Sequence, residues 1–275
     1  MLQNPQKLNI MKRFIILAVI SLIAIAASSQ DLFKVISVNG EIIATKANLT
    51  LENGVQVSSD DNFNFMVPNS RAAMINSELG RVVLTEQNAA DAFSRAAFAP
   101  AMSSISTRAG SLSTAAELKN IFCENLLIID KMEVSVGAHV YPMSDQTFFY
   151  ISYMYNGDNI NKRLPYNGDK FVLDRTELFT IDGKSILEEE VSELKLYYYK
   201  RTGVPESTLI ATFSPIFKSS DEIKPEIQII VDELKNIPRS NLMAEVFDYL
   251  KAFYGVAEIS NLEAWMQKEF NIKSN

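Results

Sequence analysis

The sequence predicts an α+β protein, mainly β, built from a small β-domain, an antiparallel β-sandwich and a C-terminal three-helix segment. Three observations lead there. Short apolar runs over residues 31–86, and again over 125–217, are separated by Asn-Gly and Asp-Gly, dipeptides suited to tight turns. The stretch between them, 87–124, is dominated by Ala and Ser and is poor in strand formers. Over residues 221–275, apolar side chains recur at helical spacing instead of alternating.

Ahead of the first strand, Met11-Lys12-Arg13 precedes an apolar run from Phe14 to Ala27 and small residues through Ser29. Residues 1–29 therefore read as a secretory signal peptide with Met11 as initiator. The run has signal length and is too short to span a bilayer. No Cys lies nearby to accept a lipid, so a cleaved, periplasmic or secreted chain with no stable membrane anchor is expected. The net charge is −7, and loss of Lys7, Lys12 and Arg13 with the leader brings it to about −10. Such acidity argues against nucleic acid, whose phosphates require Lys and Arg, and against anionic lipid surfaces. Cys123 is the only cysteine. No intramolecular disulfide can form, and the apolar cores must carry the stability.

The first β segment runs through Phe33, Val35 and Ile36 to Val38, which precede Asn39-Gly40, a type I′ hairpin signal. Ile42-Ile43 follows, then a turn at Asn53-Gly54 and further runs at Phe63–Val67, Ala72–Ile75 and Glu78–Leu84. Short strands at this spacing suit a small barrel or sandwich. In the Ala/Ser-rich stretch, Ala89–Ala99 reads as a short helix ended by Pro100, and Met102–Ser113 as a linker. Thr114 with Glu117 forms a capping box for a helix reaching Phe122. The second β segment offers strands at Leu126–Ile129, Met132–Val136, Phe148–Tyr155, Lys170–Leu173, Leu194–Tyr199 and Leu209–Phe213. Turns fall at Asn156-Gly157, Asn167-Gly168 and Asp182-Gly183. This spacing predicts an antiparallel sandwich of immunoglobulin size without the Cys-Trp-Cys hallmark. In the tail, Ile223, Ile227, Ile230 and Leu234 define one helix, with Pro225 expected in its first turn. Met243, Val246, Leu250 and Phe253 define a second that Gly255 stops. Ser260 and Glu263 form a capping box for a third, bearing Leu262, Trp265, Met266 and Phe270.

Three passages carry a resemblance. They are Val35-Ile36-Ser37-Val38-Asn39-Gly40-Glu41-Ile42, Leu51-Glu52-Asn53-Gly54-Val55 through Asp61, and Ala73 through Leu84 with its Glu78-Leu79-Gly80-Arg81 turn. Together, over residues 33–84, they resemble the periplasmic β-domain of ferric-citrate regulator (FecR-like) proteins and the secreted variants of Bacteroidota envelope proteins. The resemblance implies a non-catalytic β-domain that contacts other envelope proteins. The regulator's cytoplasmic anti-sigma segment has no counterpart before the apolar stretch, so transmembrane signalling is not expected and no ligand residue is carried over.

No catalytic, cofactor or metal signature emerges. A Cys-His nucleophile would have to use Cys123 and His139, the only Cys and only His, and no family signature surrounds either. Zinc sites of the usual Cys/His type are excluded on the same count. Asp60-Asp61, Asp158 and Asp182 sit at turn signals and lack a calcium-loop pattern, so they read as turn formers. The aromatic strands are more informative. Phe148–Tyr155 and Leu194–Tyr199 carry large side chains on both faces, only one of which the sandwich core needs. The second face is either covered by the tail helices, as expected first, or is a binding surface. The candidates on it are Tyr150, Tyr153, Tyr155, Tyr197 and Tyr199. The expectation for function is a non-enzymatic, exported interaction or scaffold protein of the cell envelope with an envelope protein partner and no cofactor. The alternative is a glycan- or small-ligand-binding module using the aromatic face. A hydrolase of unrecognised family stands third.

Overall fold

The computed structural model describes residues 31–100, 112–122, 125–191 and 193–273. The leader, most of the linker and Cys123 lie outside them. Strand (41%) outweighs helix (25%), which places the chain in the α+β class with a β majority.

The first β unit is two small sheets. One is built from β1 (Leu32–Asn39), β4 (Gln56–Ser58), β6 (Arg71–Asn76) and β7 (Gly80–Thr85), in the order β4-β1-β6-β7. The other is built from β2 (Ile42–Ala44), β3 (Leu49–Thr50) and β5 (Phe63–Phe65), in the order β3-β2-β5. Between them Phe33, Val35, Ile42, Leu51, Met74 and Leu84 form a core. The first Asn-Gly departs from the hairpin reading. β1 and β2 lie in different sheets, so Asn39-Gly40 turns a corner between layers. Gly40 sits at φ +86°, and a Cβ there would collide with the Ser70 side chain, which reserves the corner for glycine. Asn53-Gly54 is a corner of the same kind, between β3 and β4.

β1 carries a bulge that decides how the rest of the chain attaches. Its register with β6 passes from Val35↔Met74 to Ser37↔Ala73, leaving Ile36 as the extra residue. Without that insertion Ser37 would share the core-facing side of Phe33 and Val35, because strand side chains alternate. With it, Ile36 and Ser37 both point out of the sandwich, toward the helical tail.

Residues 89–99 do not form the expected α-helix. Turns lead into a single 3₁₀ turn, Phe93–Arg95. Phe93 packs on Phe33 and Phe63, and Ala97 bridges to Arg81, so packing on the sandwich overrides the helix preference of Ala. The Thr114 capping box is present and starts α1 (Ala115–Ile121).

The second β unit departs from a purely antiparallel sandwich. Its larger sheet comprises β8 (Asn125–Ile129), β10 (Thr147–Tyr155), β11 (Asp158–Arg163), β16 (Leu194–Lys200), β17 (Glu206–Lys218) and β18 (Val256–Ala257), in the order β11-β10-β16-β17-β8-β18. β10, β11, β16 and β17 pair antiparallel, but β8 runs parallel to both β17 and β18. The cause is the 13-residue length of β17, whose last residues, Ser214–Lys218, outrun β16 and pair with β8. The facing sheet comprises β9 (Lys131–Ser135), β12 (Tyr166–Asn167) and β13 (Lys170–Asp174), in the order β12-β13-β9. Asp130, at φ 58°, sends the consecutive strands β8 and β9 into different sheets. Phe149, Ile151, Tyr153, Leu196 and Phe213 meet Met132, Val134, Phe171 and Leu173 in the core, closed by Leu118 and Phe122 of the α1 region. A short helix α2 (Arg175–Leu178) and the hairpin of β14 (Thr180–Ile181) and β15 (Lys184–Ser185) complete the unit.

The tail forms α3 (Ser220–Glu233), α4 (Arg239–Phe253) and α5 (Ile259–Phe270). α3 starts at a capping box of Ser219 and Glu222, which moves Pro225 from the expected first turn into the helix interior. α5 starts before the expected cap: Glu258, not Ser260, accepts the Asn261 N–H. The helices bury their apolar stripes with Ile36, Ala73 and Ile75 of the first unit and Leu127 of β8. They do not lie on the aromatic face.

Polar ties fix that seam. Ser37 Oγ donates to Glu226 Oε1 (2.8 Å), Tyr249 OH to Oε2 (2.5 Å), and Tyr254 OH to both oxygens (2.8 and 2.9 Å). Burial, reinforced by the adjacent Glu226 carboxylate, raises both phenols well above their ordinary value, so both remain donors. Lys34 pairs with Glu233 (2.7 Å), and Arg71 donates to Phe253 O at the end of α4 (2.6 Å). Arg81 of β7 reaches Asp248 and Glu245 of α4, and Glu245 also accepts from Ala99 N.

Two measurements probe this seam. Glu226→Ala strands three hydroxyls without their acceptor and should cost about 3 kcal/mol or more, against about 1–2 kcal/mol for Tyr249→Phe. Urea titration measures both, and wild-type midpoints in both variants would remove the cluster from the account of stability. The second concerns Glu245. Burial raises its carboxyl above the ordinary 4.5, against the Ala99 N–H and Arg81, whose Nε stands 3.6 Å away, beyond hydrogen-bond reach. The folded chain therefore holds this proton to higher pH than the unfolded chain. Stability falls as pH rises from 4.5 through the folded value. Glu245→Gln should flatten that fall in unfolding midpoints measured across the range, and an unchanged slope would contradict it.

Candidate functional site

The outer face of β11-β10-β16-β17 follows from alternation and register. The type I′-like turn at Asn156-Gly157, with both residues at positive φ, sets Tyr155 opposite Asp158 and so Tyr150 opposite Arg163. On the other side of β10, Tyr150 faces Tyr197 and Phe148 faces Tyr199. Tyr197 in turn faces Leu209, and Lys195 faces Thr212. The face thus carries Phe148, Tyr150 and Met154 from β10, Arg163 from β11, Lys195, Tyr197 and Tyr199 from β16, and Leu209 from β17. The four aromatic residues are half-buried, whereas Met154 and Leu209 are 45% and 50% exposed.

The rings on this face stand against one another. Tyr150 and Tyr197 have centroids 5.1 Å apart and planes 9° apart. Parallel rings that close are offset-stacked, each turning one face toward the other, because coplanar rings at that distance would clash edge to edge. Phe148 leans on Tyr199 at 4.9 Å, and the Arg163 guanidinium lies over Phe148 at 4.5 Å. One face each of Tyr150, Tyr197 and Phe148 is therefore taken by a neighbour, and the surface also offers ring edges, hydroxyl tips and aliphatic ends.

The electrostatics of the face differ from those of the chain. Its paired positions carry Arg163 and Lys195 and no Asp or Glu, although the protein has a net charge of −7. Glu193 precedes β16 and lies outside those positions. Arg163 is steadied by Ser144 O (3.1 Å) and by Asp145 at the margin (3.2 Å). Lys195 makes no ion pair among the described residues.

The five candidate tyrosines divide. Tyr150, Tyr197 and Tyr199 lie on the outer face. Tyr153 does not: it is 2% exposed in the sandwich core, and its hydroxyl donates to Leu178 O at 2.6 Å. Alternation alone separates it from Tyr150, an odd number of residues away. Burial raises its phenol above the ordinary value, as it does for Tyr141 and Tyr198. Tyr155 packs at the margin of the same core. Arg163, Lys195 and Leu209 carry no pattern that singles them out in sequence, although the Asn156-Gly157 turn already places Arg163 beside Tyr150.

Other candidate groups stay apart. His139 is exposed in a turn, and Cys123 lies outside the described residues. Asp182 adopts φ 49° in the β14–β15 turn. No cluster of three or more metal-ligating side chains occurs among the described residues. A cleft of about 270 Å³ opens between the β8–β9 corner and α5, floored by Met132, Leu262 and Trp265. Its rim mixes Asp130, Lys131, Glu133, Glu258 and Lys268, so its charge selects no class of ligand. No known protein family, curated protein or solved structure matches the chain.

Tyr153→Ser should cost about 3–5 kcal/mol, as large-to-small core changes do, while Tyr197→Ser should leave a folded protein within about 1 kcal/mol of wild type. Thermal and urea unfolding with near-ultraviolet circular dichroism distinguish them. Equal losses in the two would make the outer ring part of the core.

Proposed function

We propose that this chain is an exported, non-catalytic interaction module of a cell envelope that docks a protein partner on the outer face of β11-β10-β16-β17. The observation that carries the reading is the open aromatic face itself. Tyr and Arg, with an aliphatic margin of Met154 and Leu209, make up a composition enriched where proteins bind one another. The described helices pack elsewhere and leave it open. The signal-like run within residues 1–29 and the FecR-like pattern of residues 33–84 support an envelope setting. The glycan reading is weaker on geometry. Sugar stacking needs an open ring face, and Tyr150 and Tyr197 each turn one of their two faces toward the other.

Crosslinking in intact source cells, with capture of the tagged full chain and mass spectrometry, tests the proposal. Wild type should retain one stoichiometric envelope protein that the folded Tyr150→Ser/Tyr197→Ser variant loses. Equal retention by both would overturn the docking face. Absence of any protein partner together with a glycan-array signal lost in the same variant would replace it with the sugar-binding reading.

A further inference from the structure

Resting on the proposed docking face, we infer that the element bound there is an acidic protein segment with apolar anchors. Two features of the face select it. The first is charge complementarity. The ladder positions of the aromatic face carry charge of one sign only. Its register positions bring Arg163 and Lys195 to either side of the Tyr150–Tyr197 pair without one acidic side chain among them. Arg163 keeps only the marginal Asp145, and Lys195 has no ionic partner among the described residues. Two cations without a carboxylate at the ladder positions make this face a local attractor for acids on a protein of net charge −7.

The second feature is ring orientation, which separates a protein segment from a nucleic acid. Aromatic residues with Arg and Lys on an open four-strand face are also what a single-stranded nucleic acid would use, by stacking bases on ring faces. Here Tyr150 and Tyr197 each spend one ring face on the other, and one face of Phe148 is covered by the Arg163 guanidinium, which leaves fewer faces for bases. Two cations give few phosphate contacts, and the chain as a whole is acidic. Ring edges, tyrosine hydroxyls and the exposed ends of Leu209 and Met154 instead suit aliphatic or aromatic side chains flanked by Asp or Glu.

The test uses the full chain in source cells with p-benzoylphenylalanine in place of Tyr199, and sequencing of whatever is photo-crosslinked. A partner peptide of net negative charge with an apolar residue at the crosslink is expected. A neutral or basic peptide overturns the inference and leaves the docking face standing. A nucleic-acid or glycan adduct, or no adduct, overturns the docking face as well. With the crosslinked partner purified, Lys195→Glu should slow association on the order of tenfold, as should raising the salt from about 50 to about 300 mM. Lys195 lies in no tie that holds the fold, so the variant reports on the surface. Association indifferent to both changes overturns the acidic assignment even where the crosslink succeeds.

Discussion

The structure turns on one buried carboxyl group. Glu226 of α3 accepts from Ser37 of β1, Tyr249 of α4 and Tyr254 just beyond it, so a single side chain joins two helices to the first sheet. Among the described residues no Lys or Arg contributes to it. Neutral hydroxyls take the place of a counter-ion, and they do so only while the phenols stay protonated, which burial enforces. The arrangement has one geometric precondition. Ser37 must leave the sandwich core, and the Ile36 bulge is what turns it out. A one-residue irregularity in one ladder therefore decides where the whole helical tail is seated.

That seating has a consequence at the far side of the molecule. Apolar helical stripes bury themselves on the sheet surface that offers both apolar area and polar partners. The first sheet offers Ile36, Ala73 and Ile75 together with Lys34, Ser37, Arg71 and Arg81. α5 adds a tie to the second unit. The Asn261 amide exchanges hydrogen bonds with the backbone of Glu133 on the outer edge of β9, in place of a strand (2.9 and 2.8 Å). Trp265 Nε1 donates to Ser220 Oγ, which bonds Asp130 at the sheet-changing corner (2.7 and 2.5 Å). With the helices held here, the aromatic face of β10 and β16 keeps no cover from them.

Much of this was legible from sequence, and the departures share a cause. Signals with a local mechanism reappear in the structure: the Thr114–Glu117 capping box, the Asn156-Gly157 and Asp182-Gly183 hairpins, and the three apolar stripes of the tail. Signals whose meaning depends on a distant strand do not. Asn39-Gly40 is the same dipeptide as Asn156-Gly157 and takes a comparable positive φ at its glycine, yet it turns between sheets: Asn156 also adopts positive φ, as a type I′ hairpin requires, and Asn39 does not. The parallel pairing of β8 has no signature in Leu126–Ile129, whose apolar run suits either direction. Within the site, alternation alone distinguishes Tyr150 from Tyr153. That the described helices leave the face without cover depends on where the tail goes, and so on the Ile36 bulge that no residue pattern announces.

The mutual stacking of Tyr150 and Tyr197 bears on why such a face is tolerated on a chain whose single cysteine allows no internal disulfide. A flat strand face with lone aromatic rings lying open invites non-specific association. Rings that stand in cross-strand pairs already satisfy much of their own dispersion, and a guanidinium over Phe148 keeps water and charge close to the remaining apolar area. Like charge adds a further barrier, since a second copy would bring Arg163 and Lys195 against the same pair. Self-association through this face is therefore disfavoured by its own cations. The aromatic rings and the two cations are neighbours on one face, Arg163 through the two-residue Asn156-Gly157 turn and Lys195 through the pairing of β10 with β16.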